Sequence, residues 1–238
     1  MFFEEFSSNK HDYHKIAEFI FFTDSKTYSK VFKSRKKAIL AIEKLLLIEN
    51  DFNPNNNKNN KDYKDFKNDK DFKNNKDYKD FKNNKDQNEK NIKLFVIMDE
   101  NINKNIVGIL HIVKGVKISL WRDSFFVFKN LPIRDAIRFS FIYFLDFLTL
   151  SKINQDDYYI AELAIDESQR RKGIATKILK KAVKKVEEEN YNRIILDVDS
   201  TNEKAIKLYE SFGFKKFGTK KVKFFKKEKI MYNMEYVV

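Results

Sequence analysis

The chain has 238 residues, of which 42% are hydrophobic and 35% charged, and a net charge of +13. That length and apolar content suit one sizeable domain with a buried core, and the absence of cysteine excludes disulfides, thiolate catalysis and cysteine-ligated metal. A reducing, cytoplasmic setting is expected. The lysines are spread along the chain, apart from eight between residues 215 and 229. Lysine, asparagine, phenylalanine and isoleucine are all abundant and share A/T-rich codons, so part of the basicity reflects codon usage, and the charge alone argues for no nucleic-acid partner.

In chain order, "MFFEEFSSNK" lacks the basic end and apolar run of a secretory leader, and Phe2 to Phe6 reads as a short strand. "HDYHKIAEFIFF" puts Tyr13, Ile16, Ala17 and Ile20 on one helical face, and "RKKAILAIEKLLLIE" does the same with Ile39, Ile42, Leu45 and Leu46. Residues 51 to 91 then break the pattern. Lysine recurs at every third position from Lys61 to Lys85, and "KDYKDFKN" at 61 repeats at 76. Neither helix nor strand has that period, and the charges nearly cancel, so the expected form is a solvated low-complexity insertion. The alternative is a partner-binding arm, with Tyr63, Phe66, Phe72, Tyr78 and Phe81 stacking on single-stranded nucleic acid between the lysines.

"KLFVIMDE" (93–100) and "NIVGILHIVKG" (105–115) read as strands joined by an asparagine-rich turn, and residues 133 to 150 as a helix. Its last part, "FIYFLDFLTL", is too short to span a bilayer and contains Asp146, so a buried helix and no membrane partner are expected. "DYYIAELAI" is a strand, Ile174, Ile178, Ala182, Val183 and Val186 share a helical face, "RIILDVD" is a strand, and "NEKAIKLYESF" is a helix closed by Gly213. Two strand-like segments, near 214–222 and 229–237, complete an alternating α/β pattern.

The chemistry concentrates in "ESQRRKGIATKILKKA", residues 167 to 182. Strand, tight turn and helix place residues 170 to 176 at a helix N-terminus, where the first amides have no internal partner and face the positive end of the helix dipole. Such an end receives anions. Gly173 allows close backbone approach, Ala175 keeps the next turn small, and Arg170, Arg171 and Lys172 add charge. A merely cationic loop with a capping glycine fits the same residues.

"AIDESQRRKGIA" resembles the acetyl-CoA signature of the GNAT superfamily of N-acetyltransferases, [Q/R]-x-x-G-x-[G/A], with Arg170, Gly173 and Ala175 at its fixed positions. Asn202 and "LYESFGF", Leu208 to Phe214, resemble the family's second block in the expected order. The specific resemblance covers residues 158 to 218. More loosely, "AEFIFFTDSKTYSKVF" looks like the two helices that precede the second strand in many members. The resemblance implies one domain over residues 1–238 with an α/β fold: a mixed, mostly antiparallel central sheet flanked by helices, interrupted by the 51–91 insertion. It implies acetyl-CoA as cosubstrate, no metal, and transfer to a primary amine of a small molecule or peptide. The diphosphate would rest on Arg170, Arg171, Lys172, Gly173, Ile174, Ala175 and Thr176. The pantetheine arm would follow the backbone of Leu163 to Ile165, and Asn202 and Tyr209 would approach the reacting end.

Direct attack needs a proton donor for the thiolate, for which Tyr209 is the candidate, and a base for the amine, for which Glu162 is the candidate. Tyr209 also fits a core position beside Leu208 and Phe212, Asn202 fits a helix cap, and Glu162 fits an ion pair. The resemblance implies that the acceptor side falls on residues 21–35 and 115–150, which offer Asp24, Tyr28 and Trp121 as substrate candidates and Asp123 and Asp146 as further attractors for a cation. Trp121 as core and the aspartates as solvated surface is the plainer reading. A second copy of the chain is left open as a partner. The competing class is a non-catalytic or nucleic-acid-associated module on the same fold.

Overall fold

The computed structural model describes residues 2–7, 10–51, 92–99, 105–115, 120–224 and 227–238; most of the repeat insertion lies outside them. The elements run β1 (Phe2–Glu5), α1 (Tyr13–Thr23), α2 (Ser25–Phe32), α3 (Arg35–Asp51), β2 (Ile92–Asp99), β3 (Asn105–Lys114), α4 (Leu120–Asn130), α5 (Ile133–Thr149), β4 (Asp157–Ile165), a single 3-10 turn (Glu167–Gln169), α6 (Ile174–Glu188), β5 (Arg193–Asp199), α7 (Glu203–Phe212), β6 (Lys215–Phe224) and β7 (Lys227–Val237). The expected elements are present, in the expected order. The helix α4 is an addition.

Local chemistry sets the helix ends. The Asp12 carboxylate accepts from the amides of His14 and Lys15 and starts α1, and Asp24 closes α1 and caps α2 through the amide of Thr27. Gly213 ends α7 in the left-handed conformation, with its N–H and that of Phe214 both returning to the Tyr209 carbonyl.

Seven strands form one sheet in the order β1-β2-β3-β4-β5-β7-β6, and every neighbouring pair is antiparallel except β4–β5. Helices α1 to α5 cover one face through Ile16, Phe32, Ile39, Val127 and Phe139, against Val96 and Ile109 of the sheet. Helices α6 and α7 cover the other through Ile178, Leu179, Val186 and Tyr209, against Tyr158, Ile160, Ile194 and Leu196. Each face carries its own apolar core, as a three-layer α/β fold requires.

The 141–150 segment corrects one expectation. It is a helix, but not a buried one: Ile142, Leu145 and Thr149 are buried while Phe144, Phe147 and Leu148 are exposed. Its large side chains point to more than one side, and among the described residues those of Ile142 and Leu145 turn into the core while those of Phe144, Phe147 and Leu148 face outward.

The central parallel pair opens. β4 and β5 are in register from Asp157↔Arg193 to Ile160↔Leu196 and no further, although β4 continues to Ile165 and β5 to Asp199. On the other side of β4 the pairing with β3 jumps from Ile112↔Ile160 to His111↔Glu162, so Ala161 is an extra residue. A bulge of this kind bends its strand. The closed end is pinned by Arg193, whose guanidinium donates to Asp157 at 2.5 and 3.1 Å and to Glu235 at 2.7 Å, tying β4, β5 and β7 together.

Candidate active site

Past the bulge, β4 offers an unpaired edge. The Asp166 amide donates to the Val107 carbonyl of β3, and the Ala164 carbonyl lies against Gly108 of the same strand. Backbone groups alternate sides along a strand, so those of Leu163 and Ile165 turn to the opening where β5 has departed. The Ile165 carbonyl there accepts from Nε of Arg170 at 3.1 Å. That bond fixes the turn that follows. The turn is tightened further by Asp166, which accepts from the Ser168 amide and hydroxyl, and whose carboxyl is held below its usual range first by that hydroxyl and then by the Ser168 amide and Lys15.

The turn then delivers the start of α6. Arg171 and Gly173 both have positive φ, 62° and 72°. For an arginine this is a strained conformation of order 1 kcal/mol. Among the described residues no acceptor takes the amides of residues 171 to 176, and Gly173 begins α6 without a side-chain cap. A Cβ placed on Gly173 would meet nothing within 4 Å. Six amides at a helix start, beside open space and cationic side chains, suit a diphosphate, and so does the unpaired edge beside them for an extended amide-bearing arm. From there a cleft of about 410 Å³ runs between α6 and α7, lined by Thr176, Lys180, Val183, Ser211, Phe212 and Tyr236.

On the same side of the sheet, Tyr209 is buried in the second core and rests on Phe214 at 5.6 Å. Burial pushes its hydroxyl up to about 12, so it keeps its proton at neutral pH. Asn202 starts α7, its side-chain oxygen accepting from the Ala205 amide at 3.3 Å.

Glu162 lies on the opposite face. The bulge puts it directly across from His111 of β3, with Oε2 3.5 Å from Nδ1. That oxygen is buried and has no hydrogen bond among the described residues. Around it stand His111 of β3, Tyr28 of α2 and Asp146 of α5, with Tyr159 of its own strand. Burial first, then Glu162, Asp146, Tyr143 and Asp24, raises the Tyr28 hydroxyl well above its usual value. Burial and Asp197 do the same to Tyr159, which donates to Asp197 at 3.0 Å.

The sequence profile of the Acetyltransferase (GNAT) family matches residues 57–214, two thirds of the chain. The chain belongs to that family. Over 56 residues, 24% of its length, it is 46% identical to N-alpha-acetyltransferase 30 from Xenopus laevis and 38% identical to N-alpha-acetyltransferase 30 from Saccharomyces cerevisiae. The match spans 20% and 32% of those relatives. The crystal structure of an N-acetyltransferase from Staphylococcus aureus Mu50 shares the fold, with a TM-score of 0.60 at 17% identity over 99% of this chain and 100% of that one.

The candidate residues of this GNAT chain therefore fall into two groups, one on each side of the sheet. Leu163, Ile165, Arg170 to Thr176, Asn202 and Tyr209 gather where β4 and β5 part. Glu162, Asp24 and Tyr28 gather on the α1–α5 side, joined by Asp146. Trp121 falls in the first turn of α4, and its side chain lies outside the described residues. Three contributors were not singled out by sequence. Lys180 lines the α6–α7 cleft one helical turn after Thr176. His111 faces Glu162 across a strand pair, which only the register reveals. Lys229 places its Nζ 2.6 Å from Asp24 and 3.3 Å from the Thr27 hydroxyl. Among the described residues no group of three or more His, Asp or Glu side chains is gathered as a metal would need, and no helix is long and apolar enough to cross a membrane.

Proposed function

We propose that the protein is an acetyl-CoA-dependent N-acetyltransferase that moves the acetyl group to a primary amine of a small molecule or peptide by direct attack. We read residues 1–238 as one such domain, working in the cytoplasm, with the 51–91 repeat as an insertion. The observation that carries this is the run of uncommitted amides at 171–176, set beside the unpaired edge of Leu163 and Ile165. The names of the relatives add a peptide α-amine to the acceptor classes to be tried. The helices α4 and α5 between β3 and β4 favour a covered, small-molecule pocket.

When bound, acetyl-CoA supplies an acyl group already activated as a thioester. The amides of residues 171 to 176, with Arg171 and Lys172, hold the diphosphate. Arg170 secures the turn through the Ile165 carbonyl. The amides of Leu163 and Ile165 face the opening, where they hold the extended arm and offer a donor to the carbonyl oxygen as it gains charge. The Tyr209 hydroxyl donates a proton toward the departing sulfur, a task its raised pKa suits. Asn202 keeps its amide nitrogen available at the mouth while its oxygen caps α7. Glu162 takes a proton from the cationic amine on the other face, where Asp24 and Tyr28 help to hold it.

Calorimetric titration of the full chain with acetyl-CoA tests the donor half of the reading, and thiol release across a panel of polyamines, aminoglycosides, amino acids and peptide N-termini tests the transfer. Binding lost in Gly173→Glu, together with amine-dependent thiol release, is the expected result. Salt-sensitive binding to RNA with no heat from acetyl-CoA is the result expected of a non-catalytic module instead.

A further inference from the structure

α5 buries one stripe of side chains and leaves another open. Ala136, Phe139, Ile142, Leu145 and Thr149 turn into the core. Ile133, Ile137, Phe144 and Leu148, with Phe147 beside them, stay between 38% and 62% exposed. At about 3.6 residues per turn these five fall within roughly a third of the helix circumference, opposite the core stripe. A surface helix of a monomer carries polar side chains on that outer face. Here the outer face is apolar along the whole length of the helix, from Ile133 in its first turn to Leu148 in its last.

Two properties of the stripe fit it to a second copy of itself. The first is spacing. Ile133, Ile137, Phe144 and Leu148 are separated by four, seven and four residues, which reads the same in both directions. Two copies of α5 laid antiparallel, with a two-fold axis between positions 140 and 141, set Ile133 against the partner's Leu148 and Ile137 against the partner's Phe144. An isologous contact requires that self-complementarity. A lipid surface or an unrelated partner does not. The helix also carries two arginines against two aspartates, Arg134 and Arg138 with Asp135 and Asp146, so its own charge gives no pull toward an anionic membrane.

The second property is area. A side chain of this size offers roughly 200 Å² when fully open, so the observed exposures leave about 500 Å² of apolar surface on each copy. A standard interface takes about 800 Å² from each partner, and roughly 65% of it is apolar in homodimers. The stripe supplies that apolar share by itself.

We propose that the outer face of α5 is the interface of a homodimer, with the two α5 helices packed antiparallel. The proposal is independent of the acetyl-transfer reading. The contact lies on the α1–α5 side of the sheet, and the open amides of residues 171 to 176 belong to the start of α6 on the other side. Association and acetyl-CoA binding are therefore separable.

Sedimentation velocity of the full chain over a concentration series tests it. The wild type is expected to sediment as a dimer at micromolar concentrations. Ile137→Glu is expected to weaken the dimer about 100-fold or more, because it places an unpaired carboxylate among apolar side chains in each half of the interface. Phe144→Lys should act in the same way. Both positions are exposed in the single chain, so each variant should keep the urea midpoint of the wild type when the latter is diluted until it dissociates. The chain has no cysteine, so a nitroxide on Arg134→Cys is the sole label. Antiparallel packing puts the two labels roughly 20–30 Å apart, and parallel packing brings them within ~15 Å. A wild type that stays monomeric to millimolar concentration overturns the proposal, including one that gathers on phosphatidylcholine–phosphatidylserine vesicles instead. So does a dimer that survives both substitutions, or the short label distance of a parallel pair.

Discussion

Single side chains on the two sides of the sheet make separable predictions. Tyr209 is buried and protonated, and the reading gives its hydroxyl to the leaving group. Tyr209→Phe keeps the ring on Phe214 and removes only the donor. Turnover is expected to fall about 100-fold, the usual scale of a general acid, with acetyl-CoA affinity unchanged by calorimetry. Gly173 separates conformation from contact in the opposite sense. A Cβ there strikes nothing in the protein, yet φ is 72°. Gly173→Ala should therefore cost about 1 kcal/mol in chemical denaturation, from backbone strain alone. Its methyl group also stands in the open space before the amides, so acetyl-CoA binding should weaken by more than stability does. Asp146 predicts a slope. Its folded carboxyl is raised from 3.8 to about 7, so the folded state holds a proton that the unfolded chain has released between those values. Stability from this group is fully present below pH ~4 and is lost as pH rises through about 7. Asp146→Asn should gain on the wild type by about 1–3 kcal/mol between pH 4 and pH 8, read by urea unfolding at each pH.

At the scale of elements, the strongest claim concerns the closed end of the β4–β5 opening. Asp157 is buried, and Arg193 is its cationic partner while also reaching Glu235. Arg193→Met leaves that carboxylate without its partner and unties three strands at once. A loss of about 3–5 kcal/mol in urea unfolding is expected, larger than the roughly 1 kcal/mol predicted for removing the α7 cap by Asn202→Ala. These elements were readable to different degrees. β4, α6, β5 and α7 follow clean apolar periods, and Gly213 marks a stop that the structure realises as two bonds to one carbonyl. α4 was not readable, because Phe125, Phe126, Val127 and Phe128 form a continuous apolar run with no helical period, of which Val127 is buried. Nor was the strand order. β6 and β7 look alike in sequence, but the hairpin turns the last strand inward, where Met231, Asn233 and Met234 are buried, and leaves the lysine-rich β6 at the edge. Lysines on an edge strand discourage pairing with other chains, which gives the 215–229 charge a structural reason independent of nucleic acid.

Across the whole molecule, the proposed reading puts the acetyl donor on one side of the sheet and the acceptor on the other, with the gap between β4 and β5 joining them. The candidate donor residues from Leu163 to Thr176 were legible because they are contiguous in sequence and their chemistry is that of a helix start, whereas Asn202 and Tyr209 were named through the family resemblance. The acceptor half was less so. Asp24, Asp146, Glu162 and Asp197 lie on separate segments, and no spacing rule brings them together; the bulge at Ala161, which sets the register that turns Glu162 toward His111, is invisible in the residues themselves. The most direct test of the central claim is backbone amide NMR of the full chain during titration with acetyl-CoA. The account predicts that the largest saturable shifts fall on the amides of residues 171 to 176, joined by Leu163 and Ile165. Saturable shifts confined to other surfaces, or no shifts at millimolar acetyl-CoA, would contradict it.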